Sequence, residues 1–315
     1  MAGIEPSTKI DFMGMRRAWI VISILLTAWC AYEWVSTGQN KFGIDFLGGT
    51  DVVASFEEEI GSTRIREALL NAGIKDSTVQ AFETNSFGGK AKEYSIRVKG
   101  VEKEGSANVV KNALNSLNAK YSVMREDFVG PIIGEKIKKD GYKAIIFAII
   151  GLLIYISYRF EFVFAVGAII SLAHDIFMAA GIFLFFGGEI GASVLAALLT
   201  ILGYSVNDTI IVYDRIRENL NLRKTGKGVK VGDKSIRDFT LSDIINLSVN
   251  QTLSRTILTS GTTLFSCLAL WFFGGGAIAD LAFVLTIGVI TGTYSSIFIA
   301  APVILGFSNP DRKSR

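Results

Sequence analysis

The chain has 315 residues; half are hydrophobic, only 19% are charged, and the formal net charge is +3. Its mean hydropathy of +0.42 lies above the range of soluble globular proteins. This balance excludes a soluble enzyme, a disordered regulator and a secreted disulfide scaffold, and without a long basic stripe nucleic acid is not an expected ligand. The two cysteines, Cys30 and Cys267, fall inside apolar stretches, and a single histidine is too few for a zinc site, so neither a metal nor a cofactor is expected.

In chain order, the charge-free stretch 18–32 predicts a first membrane span, with a lower boundary reaching back toward Met15. Thr27-Ala28-Trp29-Cys30 offers no small-residue cleavage site, so this span reads as an uncleaved signal-anchor. Residues 1–38 then form the cytoplasmic N-terminus and first span, and residues 39–140 an exported domain of globular composition. Strands are expected at 51–56, 79–83, 94–99 and, more weakly, 122–129. Ile65, Ala68, Leu69 and Ala72 mark the buried face of a helix starting near Ser62; Val110, Ala113, Leu114 and Leu117 mark one starting near Ser106. Residues 86–89 suit a hairpin turn, and Glu57-Glu58-Glu59 reads as a solvated strand end. The order βαββαβ predicts an α+β, ferredoxin-like sandwich, which by itself specifies no activity. The segment Gly130-Pro131-Ile132-Ile133-Gly134 suits a hinge into the membrane.

Five more spans are predicted at 144–158, 162–186, 190–213, 256–273 and 281–305. The fold class is therefore a polytopic α-helical membrane protein with six transmembrane helices. Residues 141–306 form the membrane block, with a cytoplasmic loop at 214–255 and a cytoplasmic tail at 307–315. Arg16 and Arg17 before the first span, the Lys- and Arg-rich run after the fourth, and Arg312, Lys313 and Arg315 at the end place both termini in the cytoplasm.

Ionisable residues inside these spans are the functional candidates, because each costs at least ~2.5 kcal/mol at the bilayer centre. Asp208, beside Asn207, falls about 9 Å inside the membrane from the cytoplasmic end of the fourth span. Arg255 starts the fifth span from the same side, so an ion pair between the two is expected, either titrating or static. His174 and Asp175 lie about 18–20 Å from Phe162 and read as a proton relay or as a packing pair. Asp214, Arg215 and Arg217 read as helix-end charges, and Asp280 as the outer cap of the sixth span. Gly288 and Gly292 form a GxxxG step, a weak pattern that more often marks helix packing than function and that could also allow close approach of a partner helix. Gly226-Lys227-Gly228 lacks the rest of a P-loop, so no ATPase is expected, and no enzyme motif is found.

Several separated segments resemble one family. Phe42-Gly43-Ile44-Asp45-Phe46-Leu47-Gly48-Gly49-Thr50 is similar to the start of the exported domain in the SecD/SecF proteins of the resistance-nodulation-division (RND) superfamily. Ser205-Val206-Asn207-Asp208-Thr209, leading to Asp214-Arg215-Ile216-Arg217-Glu218-Asn219, resembles the family's fourth-span motif. Ser171-Leu172-Ala173-His174-Asp175, Ser254-Arg255-Thr256-Ile257 and Gly292-Thr293-Tyr294-Ser295-Ser296-Ile297-Phe298 resemble its third, fifth and sixth spans. The short exported region suits the smaller member of the pair. The resemblance implies a multi-pass protein of the cell membrane that pairs with SecD and assists a SecYEG-type translocon channel. Exported polypeptides and membrane lipid would be further partners, and in the bacterial case a cytosolic motor ATPase and a membrane insertase. It also implies use of the proton-motive force, with Asp208 and Arg255 on the proton pathway. An RND-type small-molecule exporter subunit and a passive translocon scaffold are the alternatives.

Overall fold

The computed structural model describes residues 8–86, 89–99, 106–225, 229–232 and 234–307. In chain order the elements are α1 (Phe12–Ser36), the single turn α2 (Ile44–Leu47), β1 (Gly49–Phe56), α3 (Ser62–Asn71), β2 (Ser77–Ser86), β3 (Gly89–Lys99), α4 (Ser106–Asn115) and β4 (Tyr121–Val129). Then follow α5 (Pro131–Arg159), α6 (Phe162–Phe185), α7 (Ala192–Thr225), a minimal pair β5 (Lys230–Val231) and β6 (Lys234–Ser235), α8 (Leu241–Phe273) and α9 (Gly276–Ser295). A π-helical turn at Ser296–Ala300 carries α9 into α10 (Ala301–Phe307). Among the described residues, six helical segments are long and apolar enough to cross a membrane. The centre of the expected 86–89 turn, Gly226-Lys227-Gly228 and residues 308–315 lie outside the described residues.

The helices outrun the apolar stretches from which they were predicted. Charge-free length measures the crossing, whereas a helix continues wherever its backbone bonds and solvated side chains permit. α1 therefore starts at Phe12, where the Asp11 side chain accepts the Gly14 N–H. Residues 214–255 are mostly helix rather than loop: α7 runs to Thr225, with an Arg215–Glu218 pair on its polar extension, and α8 starts at Leu241 behind a Thr240–Asp243 capping box. Arg255 is consequently not at a helix start but about 21 Å along α8. The segment expected to hinge is also helical. Pro131 occupies the first turn of α5, where its missing N–H is harmless, and Gly134 lies against the backbone of Phe46 and Gly48.

The sixth segment is 67% buried and the third 56%, against 11% for the first and second. The bundle is thus centred on α6, α7 and α9. Gly288 and Gly292 face Ile201 and Ser205 of α7. The GxxxG step closes α9 onto α7 within this chain, so it does not await a partner; small residues are used where two backbones come close.

The domain between α1 and α5 forms an antiparallel sheet in the order β2-β3-β1-β4, as the βαββαβ reading implies. Val52, Ala54, Phe56, Tyr94, Ile96 and Val98 line its inner face against Ile65 and Leu69 of α3 and Val110 and Leu114 of α4. Ala72 is exposed, because α3 ends at Asn71 and Ala72 is only its C-terminal cap.

Candidate functional site

Asp208 sits midway along α7 and is 1% exposed. Its Oδ2 accepts a hydrogen bond from the Ser260 hydroxyl of α8 at 3.1 Å, while Oδ1 has no partner among the described residues. Tyr204 lies one turn earlier on α7 and Thr256 one turn before Ser260 on α8; both hydroxyls are buried and have no partner among the described residues. A carboxylate oxygen and two hydroxyls buried at one helix–helix contact are costly to stability unless each is hydrogen-bonded. The same unused capacity suits exchange of a proton.

The expected ion pair is not made. Among the described residues no ion pair joins Arg255 to any carboxylate, and Arg255 and Asn207 are exposed on the outer face of the bundle. Arg255 and Ser260 lie five positions apart, which turns their side chains to different sides of α8. Spacing from a presumed membrane edge therefore misjudged the contact.

Asp175 is fully buried at the meeting of α6, α7 and α9. Its Oδ2 accepts the Ser205 hydroxyl at 2.5 Å and the Ser295 hydroxyl at 2.8 Å, and Ser295 in turn accepts from Ser171 at 2.9 Å. Its Oδ1 lies 3.0 Å from Nδ1 of His174, whose Nε2 lies 2.6 Å from the Tyr294 hydroxyl. With Asp175 ionised and His174 neutral, the row is satisfied when Tyr294 O–H donates to Nε2 and Nδ1–H donates to Asp175.

Asp175 is joined to α7 through Ser205, which lies one helical turn before Asp208. Reading depth from opposite ends of separate spans placed them apart. Sequence reasoning missed Ser171, Ser205, Ser260, Tyr294 and Ser295 as members of the cluster. The available signal was hydroxyls recurring at helical spacing within apolar spans, as in Ser205 and Asp208.

The other charged candidates serve elsewhere. Asp214 pairs with Arg159 of α5 at 3.2 Å, Arg215 donates to Gln251 of α8 at 2.6 Å, and Arg217 donates to the Arg159 carbonyl. They tie the extension of α7 to its neighbours rather than ending a helix. Asp280 is not a cap: the N-cap of α9 is Gly275, and Asp280 meets Arg97 of β3 at 3.3 Å.

Residues 109–309 match the family described as protein export membrane protein SecD/SecF, C-terminal. The protein translocase subunit SecF of Thermodesulfovibrio yellowstonii is 39% identical, over 97% of this chain and 97% of its own length. That of Pseudomonas aeruginosa is 36% identical, over 94% and 90%. Among solved structures, SecDF of Thermus thermophilus, a translocon-associated membrane protein, aligns with a TM-score of 0.81 at 31% identity. The alignment covers 98% of this chain and 39% of that one.

Proposed function

The chain belongs to the SecD/SecF family of protein-export membrane proteins, and from that membership we propose that it is the SecF-type subunit of the Sec export machinery. With SecD it uses the proton-motive force to assist movement of polypeptides through a SecYEG-type channel. Its setting is the cell membrane, with both termini in the cytoplasm; in a bacterial cell a motor ATPase and an insertase complete the assembly. The observation that carries the reading is Asp208: a carboxylate buried at mid-helix, held on one oxygen by Ser260 alone and on the other by no described residue.

Such a group can alternate between two states. Protonated, it is neutral and compatible with a dry helix contact; ionised, it needs water or a cation, and Arg255 on the neighbouring α8 is the basic residue proposed to supply that charge when the helices move. One proton crossing 100 mV supplies about 2.3 kcal/mol, enough to bias a helix or domain movement. The exposed polar side chains of Asn207 and Arg255 also favour a partner on this face, because in hydrocarbon a charged side chain is placed against protein or water. SecD is the partner proposed there.

The test is gradient-dependent export into inverted vesicles, with recovery of the complex measured in parallel. Asp208→Asn keeps the shape but cannot titrate, so gradient-stimulated export is expected to vanish while the complex assembles. Arg255→Lys keeps the charge without the planar fork and is expected to be partly defective. Full gradient stimulation with Asp208→Asn would mean a scaffold and not a proton carrier.

A further inference from the structure

The exported domain meets the membrane block through the polar face of its sheet. Thr78 and Gln80 of β2 and Arg97 and Lys99 of β3 stand on the side opposite Val79, Ile96 and Val98, which fill the core. Alternation alone assigns that side to solvent. Instead, Thr78 and Lys99 both reach one oxygen of Glu189, at 2.7 and 2.8 Å, in the turn between α6 and α7. Gln80 and Arg97 reach Asp280 near the start of α9, at 3.5 and 3.3 Å. Glu189 and Asp280 are each only 8% exposed. Next to them, the Asp45 carboxylate accepts the N–H of Ala192 at 2.7 Å, capping α7. A cavity of about 620 Å³ opens beside Glu189, lined among others by Lys75, Ser77 and Lys99.

The outer ends of α7 and α9 are therefore both held by the exported segment, and these two helices supply the two hydroxyls that converge on Asp175 Oδ2. Asp280 and Ser295 are about 22 Å apart along α9, with no proline between them. Beyond Ser295 the helix passes into a π-helical turn, a place where register can shift by one residue. An ionised Asp175 draws in both hydroxyls, whereas a protonated one must donate a hydrogen bond itself, so the two charge states favour different spacings of α7 and α9.

We propose that Glu189 and Asp280, gripping Lys99 and Arg97, form a joint through which α7 and α9 connect the exported domain to the Asp175 cluster, so that a change in the cluster alters how firmly the domain is seated. The proposal rests on the proton-driven reading above for its use in export, but the joint can be measured without a gradient.

The test uses the complex in spheroplasts, a Ser77→Cys reporter at the cavity and a membrane-impermeant maleimide; Cys30 and Cys267 are buried. Asp280→Asn and Arg97→Gln should each raise the labelling rate about fivefold. The charge exchange Asp280→Arg with Arg97→Asp should lower it again, and Lys99→Gln tests the Glu189 half independently. With the joint intact, Asp175→Asn and the milder Tyr294→Phe should both shift the labelling rate while the complex still copurifies. Unchanged labelling in the Asp280, Arg97 and Lys99 variants would remove the joint. Unchanged labelling in both Asp175→Asn and Tyr294→Phe would remove the link through the helices. Since labelling is read without a gradient, either failure is distinct from retention of export by Asp208→Asn.

Discussion

Asp11 shows how a single side chain holds one edge of the bundle. Its carboxyl is held below the ordinary value of 3.8, first by the Gly14 N–H and then by the Asn246 side chain of α8. Asn246 also accepts the Met13 N–H at 2.9 Å, and Asn250 binds both the N–H and the carbonyl of Ile10. A strap of chain is thereby fastened to the helix that carries Ser260 and Arg255. Because the folded pKa is depressed, the fastening is at full strength above 3.8 and is lost as pH falls through the lower folded value. Amide exchange at Met13, corrected for its intrinsic rate, should accelerate across that acid window. In Asp11→Asn it should already be faster at neutral pH and should lack the acid transition; the same transition in that variant would assign it to another group.

At the scale of elements, the contact between α7 and α9 governs the site, because it sets the distance between Ser205 and Ser295. Gly288 faces Ile201 so closely that an added Cβ would collide with it, whereas nothing approaches Gly151 on the outer face of α5. Gly288→Val should destabilise the bundle by about 1–3 kcal/mol through overpacking, and should weaken export by prising the two hydroxyls apart. Gly151→Val is the control for helix propensity alone. Thermal aggregation of the detergent-purified complex is the measurement, and equal midpoints for the two variants would show that the contact is not tight.

Across the whole molecule, the sheet domain between α1 and α5 has its own hydrophobic core, separate from the clusters between the membrane helices. Leu69 is fully buried in it. Leu69→Ala should cost about 2–5 kcal/mol there and should leave the helical bundle assembled. Limited proteolysis should then cut within residues 49–129 while the membrane block stays intact and still copurifies with its partner. Simultaneous collapse of both parts would show a single cooperative unit. Loss of gradient-stimulated export in the same variant is expected, because an unfolded domain cannot engage Glu189 and Asp280.

Charge-free length by itself determined that six segments cross a membrane, and alternation with helical spacing determined the order of elements in the exported domain. These are one-dimensional properties: hydrocarbon thickness and side-chain period are the same wherever the segment ends up. Asp208, Arg255, His174 and Asp175 stood out for the same local reason, the cost of a polar group in lipid. Tertiary structure decided which of them meet. Rotation of α8 gave Asp208 the Ser260 hydroxyl instead of Arg255, and glycine contacts brought α9 close enough for Ser205 and Ser295 to share Asp175. It also turned the polar face of the sheet onto the membrane block. Such choices depend on how whole helices and sheets pack against one another, and the spacing of residues along one chain carries no record of the neighbour each face will find.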